Sequence, residues 1–150
     1  MAEVILAESA MRMGLGDRFY FASKGLMDWN LGHGADGRAM EIVAQHGLDL
    51  RGHLASQLRA GEIGDWDWFV AMDRGHRIGL IDLGAPEQRV LMMRQFESAS
   101  ATPPDVPDPY GGERDGFEQV FSMIHGNAEA LINDLLLRDR DMSEDRSRTV

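Results

Sequence analysis

A carboxylate carried on a stiff loop is a ready proton donor or acceptor. The segment Asp105-Val106-Pro107-Asp108-Pro109-Tyr110-Gly111-Gly112 offers one. Pro107 and Pro109 restrict the backbone on both sides of Asp108, which aims a single carboxyl from a loop. Tyr110 carries a ring that can stack on a flat substrate. The plainer alternative is a solvated turn, since Pro and Asp are ordinary loop residues. Trp29 lies in a glycine-bearing loop after a strand-like run, where α/β folds place their ligand crevice, or it tucks against the core. Ser23 ends that run and His53 opens the segment Gly52–Leu58; each can brace a neighbouring loop or serve only as a cap. Asp73 follows an apolar run and reads most simply as a helix N-cap.

Other chemistries find no support. The 150 residues include no cysteine, so thiol catalysis, disulfides and cysteine–zinc sites are all absent from the chain. The five histidines show no metal-binding spacing, and neither a metal nor a cofactor is expected. The formal net charge is −10 and the basic residues are scattered, which argues against nucleic acid and anionic membrane surfaces. No apolar run approaches the ~20 residues that a membrane helix needs. Glu3 and Glu8 stand where a signal peptide would be basic, so a cytoplasmic location is the expectation.

The elements that must position these residues follow from pattern. Met1–Met13 is rich in helix formers and is stopped by Gly14 and Gly16. No capping residue precedes its first turn. Arg18–Ser23 reads as an aromatic strand, and Ala35–His46 as a helix closed by Gly47. A short helix is expected over Gly52–Leu58, a buried strand over Trp66–Met72, a helix over Arg74–Leu83 and a strand over Arg89–Met93. Ser98–Gly112 is a long Pro- and Gly-rich loop. Phe117–Arg138 has the clearest helical period: Phe117, Val120, Phe121, Ile124, Ala128, Leu131, Ile132 and Leu135 share one face. Residues 138–150 alternate in charge and are expected to be a disordered tail. The alternation of strand and helix predicts an α/β fold, a three-layer doubly wound parallel sheet. A bare helix start and a missing strand ahead of it both point to the position just before Met1.

Several short motifs occur in a fixed order: Met1-Ala2-Glu3, Ser23-Lys24-Gly25, Asp28-Trp29, Asp36-Gly37-Arg38, His46-Gly47, His53-Leu54-Ala55-Ser56-Gln57-Leu58, Ala71-Met72-Asp73, Asp108-Pro109-Tyr110-Gly111 and Gly116-Phe117-Glu118. In that order and spacing the chain resembles the low-molecular-weight protein tyrosine phosphatases, over residues 1–137. The resemblance implies a phosphotyrosine phosphatase I-like fold, a cysteinyl-phosphate intermediate and a phosphotyrosine protein as substrate. It implies that Asp108 is the general acid, that Trp29 and Tyr110 line the aromatic slot, and that Ser23 and His53 support the phosphate loop. Departures are clear. The family's first strand and its C-x5-R-S/T loop have no counterpart, Lys24 and Leu26 replace small residues, and Gly111 replaces a second tyrosine. The expectation is a truncated member, inactive as it stands for lack of the nucleophile. The alternative is a non-catalytic phosphatase-like binding or regulatory protein. In either case exposed sheet edges are expected to favour self-association.

Overall fold

A computed structural model describes residues 1–97, 104–112 and 114–148, with side chains described as far as residue 140. Among the described residues, four helices and two strands follow in this order: α1 (Ala2–Arg12), α2 (Gly37–Gln45), β1 (Phe69–Ala71), α3 (Arg74–Asp82), β2 (Val90–Met92) and α4 (Arg114–Arg148). The α/β class expected from the sequence is the one observed. β1 and β2 pair in parallel, Val70 opposite Leu91.

Side-chain alternation along β1 builds the layers. Phe69 and Ala71 face Leu80 of α3, together with Leu58, Val90 and Met92. Val70 and Met72 face the larger core, where α1, α2 and α4 meet through Ile5, Ile42, Val43, Leu131 and Ile132. The helix ends are set locally. Asp36 caps α2 by accepting from the Arg38 N–H at 2.8 Å. Asp73 caps α3 by accepting from the His76 N–H at 2.6 Å, which is the plain role its position suggests. Gly14, Gly47 and Gly84, at φ of 71°, 78° and 110°, turn the chain out of α1, α2 and α3. Met1 makes no side-chain cap, and Glu3 supplies the only acidic charge in the first turn of α1.

Two expectations are corrected. Arg18–Ser23 is not a laddered strand: Gly16–Arg18 form a 3-10 turn, and among the described residues Phe19–Lys24 pair with no strand. An isolated run cannot form a strand, because strand hydrogen bonds belong to pairs. Gly52–Leu58 is not a helix but bridges two extended segments, Gly25 to Gln57 and Gly34 to Leu54. The last helix, α4, runs from Arg114 to Arg148. Pairs such as Arg138–Asp134, at 2.5 Å and four residues apart, support a solvated helix. Residues 98–103 of the Pro-rich loop lie outside the described residues. Among the described residues, no helix is long and apolar enough to cross a membrane.

Candidate functional site

The site is assembled around a cleft of about 590 Å3 beside the free edge of β1. Phe69–Asp73 form one wall and Tyr20–Lys24 the other. The first turn of α1 and the segment Val106–Pro109 also line it.

Ser23 and His53, which the sequence places thirty positions apart, converge on the same carboxylate. Glu3 Oε2 accepts from the Ser23 N–H at 2.9 Å and from the Ser23 hydroxyl at 2.6 Å. His53 Nδ1 stands 3.6 Å from the same oxygen. Sequence reasoning did not single out Glu3 as a site residue. Its one signal was an acidic charge in the first turn of α1. Met1 lines the same cleft, and its amino group is buried. Burial lowers its pKa from 8.0, and the Glu3 carboxylate partly offsets that shift.

Asp108 lies exposed on the cleft rim, and its Oδ1 accepts from the Tyr110 N–H at 3.0 Å. Two arginine clasps fix the segment that carries it. At the start, Arg74 donates from its backbone and guanidinium to the Asp105 carboxylate at 3.0–3.2 Å. Arg94 adds a 2.6 Å bond to the Asp105 carbonyl, and the Val106 N–H donates to the Met72 carbonyl at 2.8 Å. Arg74 hydrogen bonding holds the Asp105 pKa below its ordinary 3.8. At the far end, Arg38 donates to the Gly112 carbonyl at 2.7 Å and to the Tyr110 carbonyl at 3.1 Å. Its guanidinium also lies over the rings of Phe117 and Tyr110, at 4.5 and 5.9 Å. Asp36 anchors this arginine through two further bonds, and that pairing lowers the Asp36 pKa and raises that of Arg38.

Tyr110 and Trp29 project into solvent, 71% and 80% exposed. No ring contact joins them among the described residues, so the slot they were expected to line is open. The two unusual residues of the 23–26 segment have local partners. Lys24 pairs with Glu62 at 2.8 Å and lies over Trp66. Leu26 packs onto Gly79 of α3, where a Cβ would come within 2.6 Å of its Cδ1. Among the described residues, no cluster of three or more His, Asp or Glu side chains is placed to hold a metal ion.

The family model "Low molecular weight phosphotyrosine protein phosphatase" matches residues 1–142. Low molecular weight protein-tyrosine phosphatase A of Mycobacterium tuberculosis is 38% identical over 125 residues, covering 83% of this chain and 76% of that protein. A low molecular weight protein-tyrosine-phosphatase of Streptomyces coelicolor is 36% identical over 151 residues, covering 98% and 89%. Among solved structures, YfkJ from Bacillus subtilis superposes with a TM-score of 0.79 at 25% identity, covering 91% of this chain and 86% of that one. A protein tyrosine phosphatase from Entamoeba histolytica gives 0.82 at 24% identity over 92% and 88%, a likeness of fold. By the family model and by these relatives, the chain belongs to the low molecular weight phosphotyrosine protein phosphatase family.

Proposed function

We propose that this chain carries the proton-transfer and substrate-facing part of a phosphotyrosine phosphatase, and that residues 1–150 do not turn over substrate by themselves. One observation supports this most. Asp108, Ser23 and Glu3 line the same cleft, and the chain has no cysteine to put among them. In this reading Asp108 protonates the leaving phenolate and later takes a proton from water. Trp29 and Tyr110 flank the aryl ring, and Ser23 and His53 brace a phosphate-binding loop. Without a nucleophile, covalent catalysis is lost outright. A cytoplasmic phosphotyrosine protein is the substrate that fits, and no cofactor is called for.

The open walls of the cleft favour a second reading, a non-catalytic binding protein. The test separates the two. Residues 1–150 are assayed with an aryl phosphate alone and after a strand and a C-x5-R-S/T loop are joined ahead of Met1. The phosphatase reading expects no turnover above a blank for the first and clear turnover for the second. Asp108→Asn should then lower the joined protein's rate by ~10²–10⁴-fold, the usual worth of a positioned acid. A joined protein that folds but stays inactive would favour the binding reading.

A further inference from the structure

Among the described residues two polar side chains are buried, Ser9 and Asn127. Asn127 is 4% exposed and shares the core face of α4 with Ile124, Ala128 and Leu131. A leucine would suit both helix and core there, since asparagine is the poorer helix former and its amide must leave water. Both amide hydrogens are used. Asn127 Nδ2 donates to the Met123 carbonyl, one turn back, at 2.8 Å and to Glu97 Oε1 at 2.5 Å. The first bond fixes the side chain on its own helix. The second reaches thirty positions away, to a residue that the core does not need.

Glu97 passes this hold on. Its carboxylate accepts from both sides of the Arg94 fork, from Nε at 2.9 Å and from Nη2 at 2.5 Å. The other arm of Arg94, Nη1, donates to the Asp105 carbonyl at 2.6 Å. Arg94 thus ties residue 97 to residue 105, and its side chain is mostly buried, so these bonds are little screened. Asp105 leads into Val106-Pro107-Asp108, where Pro107 leaves the backbone few choices. The place at which the Asp105 carbonyl is held therefore sets where the Asp108 carboxyl is presented. We propose that Asn127 is a positioning residue for the Asp108 carboxyl, acting through Glu97 and Arg94 on the segment that starts at Asp105. Its value to catalysis rests on the reading of Asp108 as the acid, whereas the link itself does not.

Hydrogen exchange on purified residues 1–150 tests the link. The Val106 and Tyr110 amides, which bond to Met72 and Asp108, are read against Ile42 of α2 in the same sample, so that a general loss of stability cancels. Asn127→Leu should speed exchange at both by about tenfold or more. Glu97→Gln, which keeps the shape and removes the charge, should act in the same direction. Arg94→Gln should be no worse when combined with Asn127→Leu, because both cut one chain of contacts. Unchanged relative exchange in Asn127→Leu and Glu97→Gln would overturn the proposal. So would effects of Asn127→Leu and Arg94→Gln that multiply in the double variant. In the protein completed ahead of Met1, Asn127→Leu should lower kcat by about tenfold and leave KM unchanged, and a rise in KM at unchanged kcat would also overturn it. A completed parent protein that never turns over would fail the phosphatase reading alone, and the exchange result would still decide the role of Asn127.

Discussion

Ser9 is fully buried on the face of α1 that packs on the core, and its hydroxyl has no hydrogen-bond partner among the described residues. Replacing it by alanine should therefore stabilise the protein. A buried hydroxyl left unpaired costs about 1–3 kcal/mol. Alanine is also the better helix former, by up to about 0.5 kcal/mol. Against these gains, removing one oxygen leaves a small void worth about 1 kcal/mol at most. The balance is a stabilisation of about 1–2 kcal/mol. For a domain of this size each kcal/mol moves Tm by about 2–4 °C, so Ser9→Ala should raise it by roughly 2–8 °C. Calorimetry of Ser9→Ala beside the parent chain makes the measurement. Ser9→Val serves as a control: its extra methyl has no room and should cost about 1–3 kcal/mol. A Tm for Ser9→Ala clearly below that of the parent would refute the reasoning, because it would mean that the hydroxyl gains more from a partner than burial costs it.

Ile132 on α4 has no exposed surface, whereas Leu137 is 60% exposed. Ile132→Ala should cost about 2–5 kcal/mol in urea unfolding and Leu137→Ala no more than about 0.5 kcal/mol. Arg94 hydrogen bonding, opposed by burial and helped by Asn127, lowers the Glu97 pKa below its ordinary 4.5. A depressed carboxylate stabilises the fold above its unfolded pKa and loses that contribution as pH falls through the folded value. The urea midpoint should thus fall on acidification below 4.5, and less steeply in Arg94→Gln. Arg38→Ala should release the segment that carries Asp108, read as faster hydrogen exchange or proteolysis at residues 110–112. Arg38→Lys should not rescue it, because a single ammonium cannot hold two carbonyls and Asp36 at once.

Local chemistry was legible in the sequence. The helices of α1, α2 and α3 end at the glycines that punctuate the pattern, and Asp36 and Asp73 cap where capping residues were expected. The apolar stripe of α4 is the one that fills the core, with Phe117, Val120, Phe121, Ile124, Ala128, Leu131, Ile132 and Leu135 all buried. The order of short motifs pointed to the family, and the absence of cysteine was plain by inspection. These features depend on neighbours within about one helical turn or on residue identity alone.

Tertiary structure decided whatever depends on distant partners. Arg18–Ser23 has the composition of a strand, yet composition supplies no neighbour to pair with, and the run stays outside the sheet. Gly52–Leu58 has helical spacing but is drawn into bridges by Gly25 and Gly34. Arg38 sits 72 and 74 positions from the carbonyls it clasps, and Glu3 gathers Ser23 and His53 from far along the chain. Sequence alone determined most of the helices, the family and the absence of cysteine. Only the fold could decide that Glu3 is the meeting point of Ser23 and His53 and that Arg38 clasps the loop beyond Asp108, because hydrogen bonds between distant segments are set by the path of the whole chain.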